Sequence, residues 1–234
     1  MRSLKLALLI CALYLSALAL SQGSDDKKKV FDLSTDFSVT QSPEGLWQYG
    51  YSIGNSLTHD AFKPDTFLDK LNPICFWHPA TNDRQIPGYY PYVAYNGSKQ
   101  PALEPTHGWA IGPGEVAMEA SNNGQYSIVR FRAPYGGRYR VTARFEGVHF
   151  RLSSTDVHVL HNAMHLFDAE IDGYGGNASF HPIEGPHPTA SFEAIVSVSE
   201  GDDVDFAVGY GPNKTNYNDT TGLRARLVLQ PSNP

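Results

Sequence analysis

RYRVTARF, residues 138–145, decides the fold. Tyr139, Val141, Ala143 and Phe145 alternate with Arg138, Arg140, Thr142 and Arg144. A strand sends successive side chains to opposite faces, so this period of two predicts one apolar face and one wet face rich in arginine. The pattern recurs in both directions. Phe192, Ala194, Val196 and Val198 repeat it, as do Val204, Phe206 and Val208, and Leu223, Ala225, Leu227 and Leu229. SEGDD (199–203) supplies a Gly turn between two of these strands. YSIVRFRAP (126–134) runs through the turn YGGR into the arginine-faced strand.

The first half has longer connections. VFDLSTDFSV (30–39) and LWQYGYSI (46–53) read as strands flanking the turn QSPEG. EVAMEA (115–120) follows the tight turn IGPG. Residues 54–90 read as irregular, with HDAFKPDTFLDKLNP (59–73) as the one short helix. About ten short strands separated by Gly, Pro and Asn turns predict an all-β fold, an antiparallel β-sandwich of jelly-roll type.

Residues 1–21 read as a secretory signal peptide. Arg2 and Lys5 precede the apolar run Leu6 to Leu15, which is too short to span a bilayer and is followed by small residues. The expected organisation is signal peptide 1–21, an N-terminal arm 22–29 containing DKKK, and one sandwich domain 30–234. The expected location is secreted or periplasmic. The 234 residues carry 18 basic and 24 acidic side chains. Removal of Arg2 and Lys5 takes the net charge from −6 to about −8. Nucleic acids and anionic membranes reward clustered Lys and Arg, so neither is an expected partner. Of the two cysteines, only Cys75 follows the signal segment; no internal disulfide is available, and Cys75 reads as a buried, inert thiol.

HVLHNAMH (158–165) has a spacing that invites zinc. A hairpin turning at Asn162-Ala163 would oppose His161 to Met164, Leu160 to His165 and His158 to Phe167. His158 and His165 would then share a face and His161 the other, so three histidines cannot meet one ion. Asp168, Glu170 and Asp172 share one strand face, which reads as solvated. Neither a nucleophile with its base nor a phosphate loop is recognisable.

The aromatic residues carry more. A sugar presents apolar C–H faces to aromatic rings, and hydroxyls to Asn, Asp or Arg. Trp77, Tyr89, Tyr90 and Trp109 lie in Pro- and Gly-rich connections and are the candidate stacking residues, with Trp47 assigned to the core. NKTNYNDTTGL (213–223) would add Asn216 and Asn218 as polar contacts. Its turn chemistry makes it a built turn into the last strand, with Gly222 permitting the bend. Calcium is the one metal considered there. A single Asp219 is a poor charge count, so the site would need Asp202, Asp203 or Asp205 from elsewhere. Four N-x-[ST] sequons occur, at Asn96, Asn177, Asn213 and Asn218.

FDLSTDFSVTQSPEGLWQYGY, PGEVAMEASNNGQYSIVRFRAPYGGRYRVTARFEG, TDVHVLHNAMHLFDAEIDGYG, VSEGDDVDFAVGYG and NDTTGLRARLVL together resemble a family of secreted bacterial β-sandwich modules. That family is common in planctomycetes and acidobacteria, often in proteins with a PEP-CTERM sorting tail. Its pattern is similar to jelly-roll carbohydrate-binding and galactose-binding-like domains. The resemblance implies a binding module. VLQPSNP does not match the sorting tail, and Asn162-Ala163 stands where Asn-Gly is usual. The expected function is non-catalytic recognition of an extracellular polysaccharide or cell-surface glycan. The alternatives are a glycan-active hydrolase or lyase using acids such as Asp168, Glu170 and Glu184, or a structural envelope or matrix protein.

Overall fold

The computed structural model describes residues 29–42, 45–79, 90–104, 108–174 and 188–231. The signal segment and nearly all of the arm lie outside them. In chain order the strands are β1 Val30–Asp32, β2 Trp47–Ser52, β3 Phe62–Pro64, β4 Phe67–Leu71, β5 Ile74–His78, β6 Tyr92–Asn96, β7 Ala102–Glu104 and β8 Trp109–Ile111. They continue as β9 Val116–Glu119, β10 Ser127–Arg132, β11 Gly137–Gly147, β12 Leu152–His161, β13 Met164–Tyr174, β14 Thr189–Val198, β15 Asp203–Val208 and β16 Thr221–Leu229.

An eight-stranded sheet runs β14-β11-β16-β9-β6-β5-β4, with β1 also paired to β16. A six-stranded sheet runs β13-β12-β15-β10-β2-β3. Every pairing is antiparallel. From β9 onward the chain crosses repeatedly between the sheets, visiting the second at β10, β12–β13 and β15. This is the antiparallel sandwich of jelly-roll type that the alternation predicts. Tyr139, Val141 and Phe145 of β11 are fully buried and meet Val129, Phe131, Val157, Val159, Val204 and Phe206 across the interface. Trp47 joins this core. The arginines of β11 point the other way.

The first half differs from expectation. The described residues of 54–90 hold three strands, β3 to β5, and a 3₁₀ turn at His59–Ala61 in place of the expected helix. β4 lies at a sheet edge with most of its residues exposed, so no clean alternation announces it. The segment 30–39 is not one strand. Asp32 accepts from Ser34 N at 3.0 Å and caps a single helical turn, α1, Leu33–Asp36. Cys75 is half-buried and not enclosed. Among the described residues no helix is long and apolar enough to cross a membrane.

Candidate functional site

The structure withdraws two of the expected stacking residues. Trp77 is 5% exposed, because β5 directs it into the main core. Its indole N–H donates to Ser38 O at 2.8 Å. Trp109 is buried in a second core, where β7 and β8 pair as a hairpin over Ile74, Phe76, Tyr92, Ala94 and Ala117 on the outer side of the eight-stranded sheet. The apolar residues of β5, β6 and β9 serve both cores in alternation, which sequence periodicity does not reveal. Tyr89 lies outside the described residues.

Tyr90 is half-buried at the rim of this second core, where it meets the expected polar loop. The two converge on Glu119, which is 4% exposed. Glu119 Oε2 accepts from Tyr92 Oη at 2.8 Å and Thr220 Oγ1 at 2.6 Å, and Tyr90 also hydrogen-bonds to this carboxyl. Burial nevertheless dominates and pushes the Glu119 carboxyl up to about 8. Tyr217, 72% exposed, stands on the same loop; it is a surface aromatic that sequence reasoning passed over because its neighbours are all polar.

The loop itself is a built turn. Asn216 is buried, its Nδ2 donating to Ala120 O at 2.9 Å, so it is structural and not a ligand contact. Asn218 is half-buried with a positive φ of 69°. Gly222 has a different task from the one expected. It lies within β16, and a Cβ there would stand 2.6 Å from Glu115 Oε1.

The oxygen set considered for calcium does not assemble. Asp219 Oδ1 accepts from Ser154 N at one end of β12. Asp202 pairs with His161 at the other end of that strand, and Asp203 belongs to two arginines. Seven steps along the strand take Ser154 to His161, on the order of 23 Å. Opposed strand ends keep these carboxylates from one ion.

A groove of about 610 Å³ lies on the outer face of the eight-stranded sheet. Its floor is the adjacent strands β14, β11 and β16, and α1 flanks it at the β16 side. Arg144, Arg224 and Arg226 are each about half exposed along it. Asp32, Ser34, Thr35, Thr142, Ser191 and Glu193 complete its polar lining. Arg144 is held by Glu146 at 2.9 Å, while Arg226 stands 3.9 Å from Asp32 and Arg224 3.9 Å from Glu146. The wet face of RYRVTARF is thus part of the floor of a groove; the alternation located the face, and only its neighbours β14, β16 and α1 could show the rest.

Below the groove Glu115 accepts from Gly112 N at 2.6 Å and hydrogen-bonds to Glu146. Burial raises Glu115 to about 7, the neighbouring Glu146 carboxylate adding to it. The pair is in direct contact, whereas glycoside hydrolysis separates its two carboxyls by roughly 5–9.5 Å. Of the acids considered for hydrolysis, Asp168 and Glu170 lie on an open strand face, and Glu184 is outside the described residues.

No protein-family model and no curated protein matches the chain. Among solved structures it is similar to a CBM51 from Clostridium perfringens GH95 in complex with methyl-galactose, at 13% identity and a TM-score of 0.35, over 85% of this chain and 99% of that one. It is also similar to a family 35 carbohydrate binding module from Clostridium thermocellum, at 11% identity and a TM-score of 0.32, over 70% and 98% of the two chains. Likeness of this degree carries nothing about a ligand.

Proposed function

We propose that this protein is a non-catalytic binding module for an extracellular glycan, and that the arginine-lined groove receives it. The carrying observation is the character of the groove: about 610 Å³, within the range of about 300–1,000 Å³ usual for ligand sites, with hydroxyl, guanidinium and carboxylate groups set among apolar surface that includes Phe192. A polyhydroxylated ligand matches such a surface. Arginine donates in a planar fork to ring or hydroxyl oxygens, and Asp32 and Glu193 accept from sugar O–H groups. Arg144 is already held by Glu146, so less of its freedom is lost on binding. Tyr217, exposed, and Tyr90, half-buried, form a separate aromatic edge, to which a longer chain could extend.

Affinity electrophoresis through gels containing plant, algal and bacterial polysaccharides tests this, followed by a glycan array. Retardation by at least one polymer is expected, weakened tenfold or more in an Arg224→Ala/Arg226→Ala double variant that keeps the wild-type melting temperature. Uniform failure to bind, or binding indifferent to that variant, would remove the groove from the reading.

A further inference from the structure

The hairpin of β12 and β13 carries a second cluster, on the outer face of the six-stranded sheet. His158, His165 and Asp168 each offer one ligand atom, and these atoms all lie within 4.8 Å of one another. Regular pairing would not allow it. His165 and Asp168 are three residues apart, which in an unbroken strand puts them on opposite faces. A β-bulge breaks the register: Leu160 faces His165, Val159 faces Phe167, and His158 therefore faces Asp168 and not Phe167. One extra residue on β13 rotates Asp168 onto the face that His158 and His165 share. His161 takes no part, its Nε2 lying 2.9 Å from Asp202 Oδ2.

The surroundings are built to orient His158. Its Nε2 meets Asp156 Oδ2 at 2.7 Å, which directs Nδ1 toward Asp168 and His165. Asp156 is itself fixed, accepting from Gly211 N at 2.7 Å and hydrogen-bonding to Tyr126. Gly209 leaves the space: a Cβ there would overlap the Asp156 carboxylate and the Tyr126 ring. The Tyr126 ring meets His158 edge-on, with centroids 5.5 Å apart. A carboxylate behind one imidazole nitrogen, with the other nitrogen aimed at two further donors, is the arrangement by which proteins set up a histidine for metal. His158 Nδ1 and His165 Nδ1 each stand 2.5 Å from Asp168 Oδ1. Tetrahedral zinc at about 2.0–2.1 Å from each donor would need them about 3.3 Å apart. The side chains of His165 and Asp168, 46% and 55% exposed, have room to open by that amount.

We infer that His158, His165 and Asp168 form a surface site for a divalent transition metal of the zinc type, oriented by Asp156 and made by the β13 bulge. Three protein ligands leave a fourth position toward solvent for water or an oxygen of a ligand.

Calorimetric titration of the full chain with Zn²⁺ tests this, alongside the visible absorption of Co²⁺ placed in the same site. One equivalent of Zn²⁺ and the intense bands of tetrahedral Co²⁺ are expected. His165→Ala and Asp168→Ala should each weaken binding at least tenfold, and Asp156→Asn by about 10–100-fold. His161→Ala should leave it unchanged. Both His165 and Asp168 are exposed, so their variants should keep the fold, as circular dichroism would verify. Lack of saturable binding, or binding that survives the His165→Ala/Asp168→Ala double variant, would overturn the proposal and leave the cluster as a salt-bridged hairpin surface.

Discussion

Asn162 and Asp203 clasp each other at one end of the six-stranded sheet. Asn162 N donates to Asp203 O at 3.0 Å, and Asp203 N donates to Asn162 Oδ1 at 2.9 Å. The β12–β13 turn is thereby fastened to the start of β15. Its two central residues, Asn162 and Ala163, have φ of 48° and 68°. Asn tolerates that region; Ala does not. Ala163→Gly should therefore stabilise the protein by about 1 kcal/mol, the order of the left-handed penalty. Asn162→Ala should destabilise it by a similar amount or more. Urea midpoints at constant slope would check both.

Arg130 is 4% exposed and binds Asp205 through two hydrogen bonds, at 2.7 and 2.8 Å, while reaching Asp203 at 3.1 Å. Arg130→Met would leave buried carboxylates with fewer partners and should cost about 3–5 kcal/mol. Arg140 and Glu193 pair at 3.0 Å but are 54% and 60% exposed. Arg140→Ala should accordingly cost no more than about 1 kcal/mol. Chemical denaturation of the two variants side by side measures the contrast.

Stability should fall as pH rises from about 4.5 to about 8. Glu119 holds its proton more tightly when folded, at about 8 against an ordinary 4.5. Its contribution is full below the unfolded value and is lost as pH climbs through the folded one. One such carboxyl gives a slope of at most about 1.4 kcal/mol per pH unit. Glu119→Gln keeps the acceptor for Tyr92 and Thr220 and should flatten that slope. Glu115 and Asp219, both raised to about 7, add to the slope below pH 7, so the test is the difference between wild type and Glu119→Gln: melting temperatures whose slope between about pH 7 and 8 is the same in both would remove Glu119 as a source.

Gly222→Ala should destabilise by about 1–3 kcal/mol, since the added methyl would press on Glu115. The same substitution at Gly201, where a Cβ would meet nothing within 4 Å but φ is +85°, isolates the backbone cost of a left-handed alanine. Thermal unfolding of both variants separates a crowded site from a strained one.

Production in a eukaryotic secretory host should place a glycan on Asn213 and not on Asn96. Asn213 is exposed. Asn96 is fully buried, its Nδ2 donating to Gln100 O at 2.8 Å and Ile111 O at 2.9 Å. Peptide mass spectrometry of the secreted product would show it.

Much of the second half of the fold was legible because β11, β14 and β16 are long and have one wet face. Alternation identified the buried side of each, and Asn162-Ala163 located the hairpin. Two kinds of information were not in the periodicity. Strands buried on both faces, such as β5 and β9, conceal which side is the main core, so Trp77 and Trp109 read as loop aromatics when they are interior. The β13 bulge also left no mark in the spacing of HVLHNAMH, so His158 was matched to Phe167 and Asp168 was missed as its neighbour. The groove followed the same logic. Part of its arginine floor was visible in eight residues, but Arg224 and Arg226 of β16, the neighbouring strand β14 and the flank α1 come from far away in the chain.

The place of β16 has a temporal consequence. It lies between β11 on one side and β1 and β9 on the other, with Val30 paired to Val228. A ribosome reaches Thr221 only after every other strand among the described residues has been synthesised. Until then β11 has one unpaired edge and β1 has no partner strand. The larger sheet can be completed only by inserting its latest strand into its middle, so the nascent chain stays open, and in need of protection from wrong partners, until synthesis of this domain is nearly done.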